Sequence, residues 1–270
     1  MKAVVFSLDG KKLHDVELPG AFGADVDSGL IKRAVLSIRS KAIQPKGTYP
    51  LAGRENTARY LGRRSMPANE RAINVERSRL PRLRNRRGRL SGRVANVPRA
   101  VGGPKAHPPK AEAIRAERIN KKEKRAALVS AIAASARHDL VSKRHVLPEK
   151  ISLPVVVEDS FESVSKTKQL KSVLASLNLL QDVEQAKLKT RRRAGKGKMR
   201  GRLSKKKKSI LIVTGKNANV FKAARNLVGV DVCAAANLNA ELLAPGCQPG
   251  RLAIWSESAI KFLNERGAKQ

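Results

Sequence analysis

Hydrophobic positions along the chain follow two different rhythms, and long stretches follow neither. AVVFSL at 3–8 and LHDVEL at 13–18 flank Asp9 and Gly10. A glycine able to take the positive φ of a tight turn between two apolar runs predicts a β-hairpin. Asp27 or Ser28 then stands ahead of Leu30, Ile31, Ala34, Val35 and Ile38, a helical stripe behind an oxygen-bearing N-cap. Asn120 and Glu123 have the spacing of a capping box before RAALVSAIAASA, with Leu128, Ala131 and Ile132 on the inward face. LPVVVED at 153–159 is a short β-branched run, followed by a helical stripe at Leu170, Val173, Leu174 and Leu177. SILIVTG at 209–215, VDVCAA at 230–235 and RLAIWS at 251–256 have the length of strands. Helical patterns at Val220, Phe221, Ala224 and Leu227, and at Ala259, Ile260 and Leu263, separate or follow them. Strands apolar on both faces that alternate with helices predict a mostly parallel sheet covered on both sides. The predicted class is α/β: a three-layer α/β/α domain with a mostly parallel central sheet, built from residues 1–43 and 111–270, plus a long extended internal loop and a second short basic loop.

Where both rhythms fail, charge takes over. Residues 44–110 hold 17 Lys and Arg, 14 of them Arg, against Glu55, Glu70 and Glu76, together with eight of the 13 prolines. Residues 185–208, QAKLKTRRRAGKGKMRGRLSKKKK, hold 13 basic residues and no acid. The 270-residue chain carries a formal net charge of +35, of which these two segments supply 27, so the other 179 residues have the balance of an ordinary globular domain. Self-repulsion at such a charge disfavours a compact free monomer and is relieved by a polyanion. Eight aromatic residues in the whole chain argue against recognition by stacking splayed bases. No run approaches the length of a membrane-spanning helix. The start, MKAVVFSLDG, meets Asp9 at once and lacks the apolar core and cleavage site of a signal peptide. A cytosolic, soluble, nucleic-acid-bound protein is expected.

An α/β core invites an enzymatic reading, but the usual constellations are missing. GKNANV after ILIVTG lacks the second and third glycines of a dinucleotide-binding loop, and AGKGKMRG lacks the spacing and the terminal Ser or Thr of a P-loop. Cys233 lies in a strand run and Cys247 in a Pro/Gly turn, with no CxxC and no histidine at metal spacing; both read as reduced structural thiols. His14, His107, His138 and His145 are scattered, none beside a serine, cysteine or carboxylate pattern of a triad. The acids read as isolated on amphipathic surfaces. No catalytic residue, cofactor or metal is therefore expected. The alternative, an RNA-modifying enzyme with a Rossmann-like core, requires a cofactor pocket at the ends of strands 210–213 and 230–233.

The first basic segment cannot bury enough apolar surface to offset roughly 1 to 2 kcal/mol of backbone entropy per residue, so it is expected to be mobile until it meets RNA. Its Arg bias favours many distinct contacts, because a guanidinium can bridge two phosphate oxygens and stay charged when enclosed. Glycines at 47, 53, 62, 88, 92, 102 and 103 permit close bends against a nucleic-acid surface. The second segment mixes Gly with Arg and Lys directly ahead of a buried strand, which favours a fixed RNA contact over a nuclear-localisation signal.

Several stretches in order carry a family resemblance: VFSLDGK, VELPGAF and SGLIKRAV near the start; SRLPRLRNRRGRL and ANVPRAVGGPKAHPPK in the middle; then AGKGKMRGR, ILIVTG, ARNLVGVDV and LAPGCQPGRLAIWSESAI. Along nearly its whole length the chain resembles the large-subunit ribosomal protein four family in its archaeal form. The resemblance implies a domain on the outside of the large subunit and a loop, 44–110, threading ribosomal RNA to the wall of the peptide exit tunnel. It implies Arg54, Arg59, Arg63 and Arg64 on the RNA as well, and Arg77, Arg79, Arg82, Arg84, Arg86, Arg87 and Arg89 toward the far part of the loop. Arg93, Arg99, Lys105, His107 and Lys110 would line its return. Arg191, Arg192, Arg193, Lys196, Lys198, Arg200, Arg202, Lys205 and Lys206 would clamp RNA near the globular domain. Implied partners are large-subunit, 23S-type ribosomal RNA and neighbouring ribosomal proteins, universal protein twenty-two near the loop tip among them, with no homo-oligomer. The implied role is that of a structural constituent supporting early assembly in the cytoplasmic ribosome. The chain departs from the family pattern at MPANERAINV (66–75), at Leu203 where a tyrosine is expected, and at Cys247 where a glycine is common.

Overall fold

The computed structural model describes residues 1–67, 71, 73–74, 76–84, 88–148, 151–216 and 218–268. The chain divides into two units, Met1–Lys41 with Glu117–Gln270, and Ala42–Ala116. The return to the first unit falls where Ser37 Oγ donates to the Glu117 carbonyl at 2.8 Å and the Glu117 N–H donates to Ser40 Oγ at 2.9 Å.

The first unit opens with the expected hairpin, β1 (Lys2–Phe6) antiparallel to β2 (Lys12–Glu17). Helix α1 (Ser28–Lys41) starts on Asp27, whose Oδ1 accepts the N–H groups of Gly29 and Leu30 at 2.8 and 3.0 Å. After the second unit come α2 (Lys121–Ala136), the short α3 (His138–Ser142) and strand β3 (Val155–Val157). Asn120 does occupy the N-cap of α2, but its side chain makes no capping bond, and Glu123 pairs instead with Arg33 of α1 at 3.2 Å. The capping box is thus replaced by a bond between helices. Then follow α4 (Thr167–Ser176), α5 (Leu180–Leu188), a small hairpin of β4 (Arg191–Arg192) and β5 (Ser204–Lys205), and β6 (Leu211–Thr214). The chain ends through α6 (Val220–Ala224), β7 (Asp231–Ala234), α7 (Ala240–Leu243), β8 (Ala253–Ser256) and α8 (Glu257–Ala268).

Among the described residues the main sheet has six strands in the order β2-β1-β3-β8-β6-β7, parallel throughout except for the β1–β2 hairpin. Strand periodicity sorts the core into two sides. Val156, Leu211, Val213 and Trp255 face one cluster with α1, α2, α7 and α8. Val155, Val157, Ile212 and Ile254 face the other with α4, α5 and α6. The result is the three-layer α/β/α arrangement expected, with Trp255 fully buried edge-on to Phe22 at 5.2 Å between ring centres. Cys247, the family departure, sits after Gly246 with φ of 67°, a left-handed position that costs a residue with a Cβ roughly 1 to 2 kcal/mol and that glycine occupies freely.

The second unit is organised without helices among its described residues. Thr48 N–H donates to the Pro109 carbonyl, and Arg59 and Arg82 exchange backbone hydrogen bonds at 3.2 Å, Arg82 also bridging to Val94. Gly53 (φ 79°) lies so close to the Gly103–Pro104 peptide that a Cβ there would stand 2.5 Å from it. The glycines thus let one stretch of the segment press against another, a use of glycine apart from bending against RNA. Among the described residues of this unit, the buried apolar side chains are Ala58 and Pro104.

Candidate nucleic-acid interface

The second basic segment is a built hairpin. Helix α5 ends at Leu188; Arg191 faces Lys205 and Arg192 faces Ser204 across β4 and β5. Arg193 N–H donates to the Leu203 carbonyl at 2.8 Å, and the tip, a 3-10 turn at Lys196–Arg200, is flanked by Gly195 and Gly201 at φ 77° and 75°. Arg193 is half-buried and donates from Nε to the Arg202 carbonyl at 3.0 Å, so it holds the hairpin together. Arg191, Arg192, Lys196, Lys198, Arg200, Arg202, Lys205 and Lys206 are exposed. Like charges directly opposite on paired strands repel, so Arg191 against Lys205 is a geometry that an external anion would relieve.

Two carboxylates, one fully buried and one half-buried, root this hairpin in the core. Asp182 of α5 is fully buried; its Oδ1 takes Lys207 Nζ at 3.0 Å, and its Oδ2 takes Ser209 Oγ at 2.6 Å and His145 Nδ1 at 2.9 Å. Burial pushes the Asp182 carboxyl up, but the His145, Ser209 and Lys207 contacts outweigh it and hold the group well below the usual carboxylate range. Burial lowers the His145 imidazole below its ordinary value against the opposing pull of Asp182. Its Nε2 is buried without a partner among the described residues, which suits a neutral ring donating through Nδ1. Asp231 at the start of β7 takes Lys208 Nζ at 2.8 Å and Arg251 Nη2 at 2.7 Å. Arg251, fully buried, also donates to the carbonyls of Ser209, Leu242, Ile210 and Gly229, tying together the amino ends of β6, β7 and β8.

These contacts correct the expectation that the acids lie isolated on amphipathic surfaces. His145, Asp182 and Ser209 stand 37 and 27 residues apart, so no local motif announces them. They do not make a catalytic triad: Ser209 donates to the carboxylate, not to the imidazole, which leaves no nucleophile–base pair. Lys207 and Lys208, part of the basic run, serve as roots. The Cys233 thiol is pushed up by burial, away from the thiolate form that would react.

In the second unit Arg54, Arg59, Arg63, Arg64, Arg77, Arg79, Arg84, Arg89, Arg93, Arg99, Lys105, His107 and Lys110 are exposed. Arg82 is half-buried and donates to the Gly92 carbonyl at 2.9 Å and to Ser78 at 3.0 Å, organising the segment from within. Arg86 and Arg87 lie outside the described residues.

The cofactor pocket of the alternative would lie at the carboxyl ends of β6 and β7, next to the crevice between β8 and β6, whose following helices α8 and α6 go to opposite faces, the usual ligand position in such sheets. A cavity of about 680 Å³ opens there, beside Gly215 and Phe262. The N–H groups of Gly215 and Ser258 beside it are already engaged by acids. Glu162 Oε1 accepts from Gly215 N–H at 2.8 Å and Ser258 Oγ at 2.6 Å, and Asp159 Oδ1 accepts from Ser258 N–H at 2.7 Å. Carboxylates at the first turn of α8 disfavour a phosphate at that turn, while Lys216 and Lys261 line the same cavity.

Fold and surface define a class: an α/β scaffold that presents basic segments. The model of the ribosomal protein L4/L1 family matches residues 16–266. The chain is 48% identical over 265 residues to the large ribosomal subunit protein uL4 of Methanoculleus marisnigri, covering 98% of this chain and 99% of that one. It is 47% identical over 266 residues to the protein of the same name from Archaeoglobus fulgidus, and 45% identical over 266 to that from Methanocaldococcus jannaschii, with the same coverage. The chain belongs to the ribosomal protein L4/L1 family.

Proposed function

We propose that the protein is a structural constituent of the large ribosomal subunit that binds 23S-type ribosomal RNA and supports its folding early in assembly. The observation that carries this reading is the exposed cationic hairpin at 191–206, rooted at its base by Lys207 and Lys208 on Asp182 and Asp231. Rooted cations give a charged surface a fixed register, which matters for an RNA recognised by shape and phosphate. The first unit docks through this hairpin. The Arg-rich segment at 44–110 extends into the RNA, with its far part along the wall of the polypeptide exit tunnel and universal protein twenty-two as its neighbour. The names of the relatives, all proteins of the large ribosomal subunit, support the assignment. The cell compartment is the cytoplasm, in the ribosome.

Co-sedimentation with large ribosomal subunits through high-salt sucrose tests this. An enclosed segment is expected to keep the protein on the subunit at a salt concentration that strips loosely held factors. Release of the whole population into the supernatant would reject the constituent role.

A further inference from the structure

At the amino ends of β6 and β7 a cavity of about 400 Å³ opens beside the root of the hairpin. Its wall carries Arg39, Arg144, Lys206, Lys207, Lys208 and Arg251 against Asp231 and Glu241. Most of these cations are balanced within the chain. Lys207 meets Asp182, Lys208 and Arg251 share Asp231, and Arg39 faces Glu241 at 3.0 Å.

Arg144 and Lys206 differ. Arg144 is half-buried, and its guanidinium makes a single hydrogen bond among the described residues, from Nη1 to the Gln248 carbonyl at 3.0 Å. Burial and then the like charge of Arg251 push its pKa below the ordinary guanidinium value, Asp182 opposing only in part. A partly desolvated cation with spare donors is stabilised by an anion that fills them. Lys206 is exposed and has no ion-pair partner among the described residues. The volume suits a nucleotide-sized group, and Asn239, which lines it and accepts the Leu242 N–H on Oδ1, has a side-chain NH2 of the kind that meets a ribose hydroxyl.

We propose that this cavity seats one nucleotide of a bound RNA, with its phosphate held between Arg144 and Lys206. The inference rests on the reading of the protein as RNA-bound, and it names a contact apart from the outer face of the hairpin and from residues 42–116. None of the residues singled out from sequence as RNA-binding, Lys206 excepted, belongs to it.

Filter binding of the full-length protein to a transcript of large-subunit ribosomal RNA, repeated across salt concentrations, tests the site. The double variant Arg144→Gln with Lys206→Gln is expected to bind about tenfold more weakly, as for loss of a charge-assisted contact. Its slope of log affinity against log salt should fall by about 0.7 to 0.9, the share of one phosphate. Arg144→Lys should recover part of the affinity, because an ammonium keeps the charge but not the bidentate fork. A hairpin variant, Arg191→Gln with Arg192→Gln and Arg200→Gln, runs alongside. Parental binding by the cavity variant with weakened binding by the hairpin variant would remove the cavity from the interface and leave the RNA reading intact. Parental binding by both would overturn that reading itself. If Arg144→Gln lowers the melting temperature, Lys206→Glu, at an exposed position, carries the same outcomes alone.

Discussion

Asp182 decides more about this molecule than its single charge suggests. It lies fully buried and accepts from Lys207, Ser209 and His145, so one carboxylate holds the base of the hairpin, the entry to β6 and the end of α3 in register. Removing it takes the shared acceptor from His145, Ser209 and Lys207, and Asp182→Ala is expected to destabilise the fold by about 3 to 5 kcal/mol, as for other broken buried pairs. The cluster also sets a pH dependence with a definite sign. Asp182 and His145 both titrate below their ordinary values of 3.8 and 6.5 in the folded chain, so the unfolded chain takes up protons first as pH falls. Their contribution is complete above pH 6.5, declines below that value as His145 is protonated on unfolding, and declines again below about 4 as Asp182 follows. Urea unfolding at pH 7.5, 5.5 and 4 should give falling midpoints, and His145→Gln should flatten the upper step. A midpoint that rises on acidification would contradict the arrangement. Nothing local in the sequence marks these residues, because the partners are joined by the fold alone.

At the scale of elements the chain was readable where burial is uniform. Strands β3, β6, β7 and β8 coincide with the β-branched and apolar runs, and α1 follows from Asp27 and its stripe. Short helices were harder. The pattern through Leu227 predicts a longer α6 than Val220–Ala224, and α3, α5 and α7 were not anticipated, since helices of four to nine residues offer too few turns to establish a period. The Arg-rich segment is the contrasting case: its composition forecast the lack of regular structure, but not the bridges joining Arg59, Arg82 and Val94. Those bridges depend on a half-buried guanidinium and close glycine contacts, with little apolar burial beneath them. Such hydrogen bonds open readily. Amides of the described residues between 60 and 90 should therefore exchange within seconds in the free protein while β6 and β8 stay protected. Strong protection of that segment without RNA would contradict an ordering coupled to binding.

Across the whole molecule the excess of charge is large and the internal pairs offset little of it. At the amino ends of the parallel strands Lys207, Lys208 and Arg251 are paired with Asp182 and Asp231, and at the carboxyl ends Glu162 shares a cavity wall with Lys216 and Lys261. With a net charge of +35, the free protein repels itself, and salt screens that repulsion. Raising ionic strength from about 0.05 to 0.5 M, which shortens the screening length several-fold, is expected to raise the melting temperature of the isolated chain. A fall would mean that its internal ion pairs outweigh the excess charge. Residues 42–116, finally, leave and re-enter one folded unit. A segment tied at both ends has no tip to feed through a narrow opening and can enter only doubled on itself. An RNA that encloses it through an opening too narrow for two strands must close after the protein has arrived, which makes the order of events a property of chain topology.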